Sequence, residues 1–400
     1  MSTKTGSVIE DQFVGRQEHL DEFTQFIQGQ RDYQVLFISG PGGIGKTWLL
    51  IKMMKVARQH KLPDLIIPTD LIDMYSTANH RIEGLQDHIV SIVSRNTDEA
   101  YFGSYIRARH ILHIAYQESY KDQEITDLKN KATEAFLDGL KHLTKEHKLL
   151  IILDTFEKVQ NTPVGQWVMA EMKHISNIYW VIASREPWAG NGHVFLKPLQ
   201  GFTNEDVIQY FIQADMSGGE NLQQTLKEIL EKANGHPLLI SLAIQWLDGE
   251  LLRKPEKIAS MSDDEFKAAL IEPIQQLGQG LLHNQNLDKA LYQTILYLAY
   301  FNRRFNADLL TRLVDKDLVR LEGWKPNAIL DFLEKNFFFV KTRPDTYVQL
   351  HDEMEVLVNQ YEWPRYGSRT EFQKVLSKIA VDWYEGQIAR ANDETTKMDL

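Results

Sequence analysis

The sequence of 400 residues contains no cysteine, which excludes disulfide bonds, zinc–thiolate sites and a thiol nucleophile. It has no unbroken apolar stretch of membrane-spanning length, and its first residues, MSTKTGSVIEDQ, lack the apolar core of a signal peptide. We therefore expect a cytoplasmic protein without a membrane partner. Basic residues are fewer than acidic residues: the sequence has 44 Lys and Arg and 55 Asp and Glu, which give a net charge of −11. This balance disfavours non-specific binding of nucleic acid by the chain as a whole.

The segment GPGGIGKT, residues 40–47, has the spacing G-x-x-x-x-G-K-[ST] of a phosphate-binding loop. The apolar run before it predicts a buried strand, and the residues after it predict a helix. Glycines let main-chain N–H groups surround a phosphate, and the helix N-terminus adds partial positive charge. We expect Lys46 to bind the β- and γ-phosphates and Thr47 to ligate Mg²⁺. The candidate nucleotide-binding residues of this segment are Gly43, Ile44, Gly45, Lys46, Thr47 and Trp48.

Two further apolar runs end in charged residues. The run at 149–154 predicts a parallel strand buried on both faces and ends in Asp154, which we expect to hold Mg²⁺ directly or through water. Glu157 is close enough to polarise an attacking water, although it is equally consistent with a surface position. The run at 180–185 ends in Arg185, which either contacts a γ-phosphate or is an ordinary arginine at a strand end. The candidate catalytic residues are therefore Lys46, Asp154, Glu157 and Arg185.

Three segments outside these runs leave two interpretations open. Residues 13–16, Phe-Val-Gly-Arg, either lie across an adenine, with main-chain hydrogen bonds from Val14, or form a plain turn before a helix. Gly235 and Pro237 are ordinary helix punctuation, or they mark a lid that contacts a base. His351 ends a predicted hairpin, where a lone histidine is more often structural than functional.

The fold class predicted from these patterns is α/β plus α, and the hydrophobic fraction of 43% is ample for several cores. We expect a P-loop sheet domain similar to that of AAA+ proteins, followed by a helical lid and a winged-helix domain. Short strands are predicted at 65–67, 337–340 and 347–350, and the last apolar helical face carries Val375, Leu376, Ile379 and Trp383. That face either packs on the preceding domain or pairs with further helices. The predicted segments are a disordered lead (1–12), the nucleotide-binding domain (13–198), the lid (199–280), the winged helix (281–363) and a linker helix (364–400).

The order and spacing of these motifs resemble the nucleotide-binding module of the STAND class, the signal-transduction ATPases with numerous domains, which is related to NB-ARC switches. The resemblance runs from Phe13 to about Glu362. It implies that residues 40–47 are Walker A and residues 149–154 are Walker B. It also implies adenine contacts from the lead residues Phe13, Val14 and Arg16 and from Pro237. Arg185 would be the sensor-1 arginine, and His351 would bind the β-phosphate of ADP and latch the closed state.

The same resemblance implies cofactors, partners and a mechanism. ADP or ATP with Mg²⁺ would be bound, ADP would hold the closed state, and ATP exchange would open the protein for self-association. The activating ligand would be sensed by a C-terminal region, often TPR-like in bacterial members, that would follow Leu400. One departure is that Asp154 precedes Thr155, where NB-ARC proteins usually have a second acidic residue. It leaves the catalytic base to Glu157 and predicts slow hydrolysis.

A DNA-binding initiator or regulator ATPase is the alternative, because such proteins also join a P-loop domain, a lid and a winged helix. The net charge of −11 and the position of His351 at the hairpin end disfavour it, so nucleic acid is not the expected partner. A small-molecule kinase ranks third. It would need a substrate pocket over the sheet, whereas the second half of this chain is predicted to be lid-like helices.

Overall fold

The computed structural model divides the chain into two compact units. We call residues 15–200 the sheet unit, and residues 1–14 with 201–400 the helical unit. The structure describes residues 13–60, 62, 65–68, 70–95, 97, 99–171, 175–188, 194–213, 222–246, 254–301, 305–337, 339–342, 347–366, 374–383 and 385–386. The predicted lead at 1–12 lies outside the described residues.

The sheet unit is built around a parallel sheet. Its strands are β1 (Val35–Ser39), β2 (Leu65–Ile66), β3 (Ile72–Asp73), β4 (Lys148–Asp154), β5 (Ile178–Ser184) and β6 (Val194–Leu196). The strand order is β2-β4-β5-β1-β6, and β3 also pairs with β4. All of these pairs are parallel. The carboxyl ends of the strands therefore meet at one edge, where open α/β sheets bind ligands.

The central strands are buried because helices cover both faces of the sheet, which requires the continuous apolar runs seen in the sequence. In β4, the six residues from Leu149 to Asp154 are buried. Strand β5 lies between β1 and β4, with Leu36 opposite Val181 and Ile152 also opposite Val181. The expected strand at 65–67 ends one residue earlier, at Ile66.

The helices of the sheet unit surround these strands. They are α1 (Gln17–Ile27), α2 (Lys46–His60), α3 (Ile82–Ser94), α4 (Gly103–Gln117), α5 (Asp122–Glu146) and α6 (Pro163–Glu171), with 3₁₀ turns at Thr77–His80, Glu99–Phe102 and Phe156–Lys158. Helices α3, α4 and α5 lie between β3 and β4 in the sequence. One apolar face of α5, including Phe136, Leu140 and Leu143, is buried, which stabilises this long helix despite its charged first turns.

The helical unit contains most of the remaining helices. They are α7 (Asn204–Gln213), α8 (Leu222–Lys232), α9 (Pro237–Trp246), α10 (Pro255–Ser260), α11 (Asp263–Leu270), α12 (Glu272–Gln279), α13 (Gln285–Phe301), α14 (Ala307–Asp315), α15 (Pro326–Asn336), α16 (Asp352–Leu357) and α17 (Trp363–Tyr366). Capping is explicit at α11, where the Ser262 hydroxyl accepts from the Glu265 N–H in a capping box. One hydrophobic core joins side chains from the predicted lid and the predicted winged helix, among them Ile240 and Ile295.

The winged-helix outline is present as α13, α14 and α15 followed by an antiparallel hairpin, β7 (Val340–Thr342) and β8 (Val348–Leu350). The predicted strand at 337–340 is wrong for its first part. The Phe337 N–H is still bonded to the Leu333 carbonyl of α15, and the Val340 N–H is bonded to the Phe337 carbonyl. Phe337 therefore stays bonded to the end of α15, Phe339 lies in a turn, and the strand begins only at Val340. The apolarity of this run reflects the burial of Phe337 and Phe339 in the core.

The last described helical stretch, residues 374–383, packs on the helical unit. Leu376, Ile379 and Trp383 are buried in the core of that unit, whereas Val375 is 48% exposed. The helical spacing of the three buried residues explains the apolar pattern as packing against the preceding domain. The boundaries between lid, winged helix and linker helix remain predictions.

Candidate functional site

The loop after β1 has the main-chain geometry of a phosphate-binding nest. Gly43 and Gly45 have φ angles of 73° and 99°, in the left-handed region where a side chain is strained. A Cβ built on Gly45 would meet no atom within 4 Å, so the space beside this residue is open. Helix α2 begins at Lys46, so the loop leads straight into a helix N-terminus that favours an anion.

Lys46 is buried, and its ammonium is held by the loop itself. Its Nζ donates to the carbonyl oxygens of Gly40 at 2.6 Å and Pro41 at 2.8 Å. The pKa of Lys46 is lowered to about 8, chiefly by burial; Glu157 and Asp154 raise it, whereas Arg185 lowers it. The lysine therefore lies among three charged side chains at the carboxyl edge of the sheet.

Thr47 and Asp154 are brought together although 107 positions separate them in the sequence. The Thr47 hydroxyl donates to Asp154 Oδ2 at 2.7 Å, and the Thr155 N–H donates to Asp154 Oδ1 at 2.8 Å. Thr155 has a φ of 60°, a strained conformation for a threonine that turns its N–H back towards the carboxylate. A hydroxyl and a carboxylate in direct contact form an oxygen donor set that suits Mg²⁺, which commonly uses one or two protein ligands and keeps several waters.

Glu157 and Arg185 form a pair at the same edge. The Arg185 N–H donates to Glu157 Oε2 at 3.0 Å, and Arg185 Nε lies 3.2 Å from Glu157 Oε1. The Glu157 side chain is 9% exposed and that of Arg185 is 38% exposed. The two residues that the sequence suggested for separate roles are thus bound to each other.

Residues 13–16, which were expected to contact adenine, are divided between the two units. Val14 is buried in the core of the helical unit, whereas Arg16 belongs to the sheet unit, where its guanidinium donates to the Ile44 carbonyl at 3.2 Å. Arg16 has a φ of 64° and precedes helix α1. Phe13 is half-buried, and Trp48, next to Thr47, is 41% exposed. The adenine contacts of these residues stay predictions.

In the helical unit, the segment Gly235–Pro237 links α8 to α9. Gly235 has a φ of 67°, and its carbonyl accepts from the Phe202 N–H at 2.7 Å. Pro237 begins α9, the position at which its missing N–H is tolerated. His236 Nε2 lies 4.0 Å from Glu353 Oε1. The sequence interpretation as helix punctuation is confirmed, and an additional base contact by Pro237 stays a prediction.

His351 caps the short helix after the hairpin. Its ring nitrogen Nδ1 accepts from the main-chain N–H of Glu353 at 3.4 Å. The main-chain N–H of His351 donates to the Phe339 carbonyl at 2.7 Å. Because Nδ1 is the acceptor, the neutral ring carries its proton on Nε2. In this tautomer Nε2 is a hydrogen-bond donor, the kind of group from which a phosphate oxygen accepts.

Sequence reasoning missed Asp73. This residue ends β3 and pairs in register with Asp154, so it adds a second carboxylate at the same edge of the sheet. Asp73 Oδ1 accepts from the Tyr75 N–H at 2.8 Å, which is a local turn. The two-residue strand β3 is too short to be recognised by periodicity; the only available signal was the Ile-Asp-Met-Tyr sequence itself.

No family model matches the sequence, and no curated protein matches it. Among solved structures, the chain is similar to a STAND protein with a tetratricopeptide repeat sensor from Pyrococcus horikoshii, at 17% identity and a TM-score of 0.51. The match covers 94% of this chain and 45% of that protein, so this chain spans less than half of its length. At 17% identity this likeness shows only that the two proteins share a fold over the matched region.

Two more distant structures also match. The ORC2 protein of Aeropyrum pernix is 15% identical, covers 91% of this chain and 99% of its own, and has a TM-score of 0.39. An ORC from Drosophila, solved bound to DNA, is 12% identical, covers 91% and 98%, and has a TM-score of 0.40. Scores of this size support no further conclusion. In the described part of the chain, the structure contains no helix with the length and apolarity needed to span a membrane.

Proposed function

We propose that the protein is a nucleotide-dependent switch of signal transduction, with slow ATP hydrolysis that resets it. The observation that carries the proposal is the contact between Thr47 and Asp154 at 2.7 Å, beside a glycine nest and a buried lysine. A nest alone accepts many anions. A nest with a metal-binding oxygen pair is suited to the Mg²⁺ salt of a nucleoside di- or triphosphate.

The residue roles follow from their chemistry. Lys46 neutralises the β- and γ-phosphates, the loop N–H groups hold their oxygens, and Arg185 contacts the γ-phosphate. Thr47 and Asp154 would hold Mg²⁺, which neutralises charge on the phosphate oxygens when it is bound. The adenine would be contacted by Phe13, Val14, Arg16 and Pro237. His351 would bind the β-phosphate of ADP and so stabilise the closed state.

The switching cycle is part of the proposal. ADP stabilises the resting state, an unidentified activating ligand favours exchange for ATP, and the ATP form self-associates. Asp154 is followed by Thr155 rather than a second acidic residue, which supports slow hydrolysis. The likeness to a STAND protein with a repeat sensor, of which this chain spans 45%, supports a sensing region as a partner of this module.

Release of bound nucleotide tests the proposal. The protein is purified without added nucleotide and denatured, and the supernatant is resolved by ion-exchange chromatography. We expect stoichiometric ADP from the wild type and none from Lys46→Ala, because the substitution removes the charge that the phosphates need. A Lys52→Ala variant, altered on the same helix but outside the loop, is the matched control. Equal nucleotide retention by Lys46→Ala and the control would refute the site.

A DNA-binding regulator ATPase is the second candidate, because three helices and a hairpin form a winged-helix outline. The net charge of −11 opposes it, since duplex binding draws most of its affinity from positive charge on phosphates. A titration of labelled duplex at several salt concentrations distinguishes the two. Nanomolar affinity at physiological salt would favour the regulator.

A further inference from the structure

Glu157 contacts Arg185 through both of its carboxylate oxygens. Both of its carboxylate oxygens are engaged by one residue, Oε2 by the Arg185 main-chain N–H at 3.0 Å and Oε1 by the side-chain Nε at 3.2 Å. The Glu157 side chain is 9% exposed. Of the roughly four acceptor positions of a carboxylate, one on each oxygen is therefore committed to Arg185.

Local structure explains how Glu157 reaches β5. Thr155 adopts a φ of 60°, and the chain then makes the 3₁₀ turn Phe156–Lys158, closed by a bond from the Lys158 N–H to the Thr155 carbonyl at 3.1 Å. This turn directs the Glu157 carboxylate to the residue that follows β5. Gly40, the first residue of the phosphate-binding loop, donates its N–H to the Ser184 carbonyl at 3.2 Å. Arg185 therefore directly follows the residue of β5 that is hydrogen-bonded to the loop.

Holding an arginine by its main chain and by Nε fixes the direction of its side chain. A free arginine loses much rotamer entropy when a ligand orders it, and a guanidinium oriented in advance avoids that loss. The contacts with Glu157 given above are made by the main-chain N–H and by Nε of Arg185, and a guanidinium can donate two parallel hydrogen bonds to two phosphate oxygens. Glu157 also lies close enough to Lys46 to offset the repulsion between Lys46 and Arg185.

We propose that Glu157 is a positioning residue that orients Arg185 towards the γ-phosphate, so that the pair distinguishes ATP from ADP. This inference rests on the proposed nucleotide site, and it assigns Glu157 to γ-phosphate selectivity rather than to activation of water. Glu157→Gln keeps an oxygen that can accept from the Arg185 N–H, but its amide NH₂ cannot accept from Nε–H. The variant therefore loses the charge-assisted contact to Nε while keeping the main-chain contact.

Affinities for Mg²⁺-ADP and for a non-hydrolysable Mg²⁺-ATP analogue are measured by calorimetry on the 400-residue chain at pH 7, together with ATP turnover. We expect Glu157→Gln to bind the analogue about 10-fold more weakly, the factor set by ordering a free arginine, with ADP affinity within about twofold. Arg185→Gln should give the same pattern, and the double variant should lose nothing more, because the two residues act as one unit. Glu186→Gln, which removes an exposed neighbouring carboxylate, should match the wild type.

Several outcomes would overturn the inference. Turnover abolished in Glu157→Gln with the wild-type ratio of analogue to ADP affinity would make the residue a catalytic base. Additive losses in the double variant would mean that the two residues act independently. Melting temperatures of all variants identify any general loss of folding, and Arg185→Gln, changed at a more exposed side chain, tests the ratio separately. If the wild type binds neither nucleotide, the proposed function fails along with the inference; normal binding with an unchanged ratio removes the inference alone.

Discussion

Nucleotide binding should be coupled to proton uptake by Lys46. Burial lowers the pKa of this residue from 10.5 to about 8 in the nucleotide-free protein. Phosphate oxygens placed against Nζ favour the charged ammonium, so binding should return the pKa towards its ordinary value. Between these two values the bound state holds more protons than the free state. Affinity should therefore fall as the pH rises above about 8.

The size of the effect follows from the two pKa values. At pH 9, a group with a pKa of about 8 is about 10% protonated, whereas the same group with a pKa of 10.5 is almost fully protonated. Binding should therefore take up about 0.9 proton at pH 9 and about 0.1 proton at pH 7. Affinity at pH 9 should be about 10-fold weaker than at pH 7, or about 1.4 kcal/mol.

Isothermal titration calorimetry in buffers with different ionisation enthalpies measures this proton uptake directly. Nucleotide phosphates titrate near pH 6, so they contribute little at pH 8 to 9. Lys46→Arg is the control, because arginine stays protonated throughout this range, and its residual binding should show no such slope. A flat profile in the wild type, or the same slope in Lys46→Arg, would refute the argument that a buried lysine meets the phosphates.

Three further predictions concern the metal pair, the loop and the latch. Asp154→Ala should weaken Mg²⁺-ATP binding by at least about 10-fold, and ADP binding less, because a metal ligand is lost; titrations with and without Mg²⁺ check this, and equal losses contradict it. Gly45→Ala should reduce nucleotide binding because its φ of 99° costs about 1–3 kcal/mol in a residue with a side chain. Gly103→Ala, where a Cβ would approach an arginine nitrogen only to 3.7 Å, is the matched control, and equal behaviour of the two variants would count against the nest. His351→Ala should raise the ADP off-rate, which is measured by displacement of a fluorescent ADP. The variant His351→Asn can still cap the helix but lacks the Nε2 donor. A normal off-rate in His351→Asn would therefore reduce the role of His351 to capping.

The sequence predicted the elements best where pattern and local chemistry agree. The phosphate-binding loop was found from eight residues, and the flanking strand and helix from the residues on either side of it, since the glycine spacing and the periodicity both depend on near neighbours. Predictions were weaker for short strands. β3 has two residues and was missed, and the apolar run at 337–340 was assigned to a strand although part of it turns. Phe337 and Phe339 are buried, and burial alone does not distinguish a strand from a packed turn.

The sequence by itself determined which groups can carry the chemistry: the glycines and lysine of the loop, Asp154 and Arg185 at strand ends, and His351 after the hairpin. These follow from residue type and from spacing within one element. Only the tertiary structure decided which of them meet. The Thr47–Asp154 contact depends on the strand order that places β5 between β1 and β4. The Glu157–Arg185 pair depends on a strained threonine at 155. Such contacts between distant residues arise from sheet order and turn geometry, which no local pattern encodes.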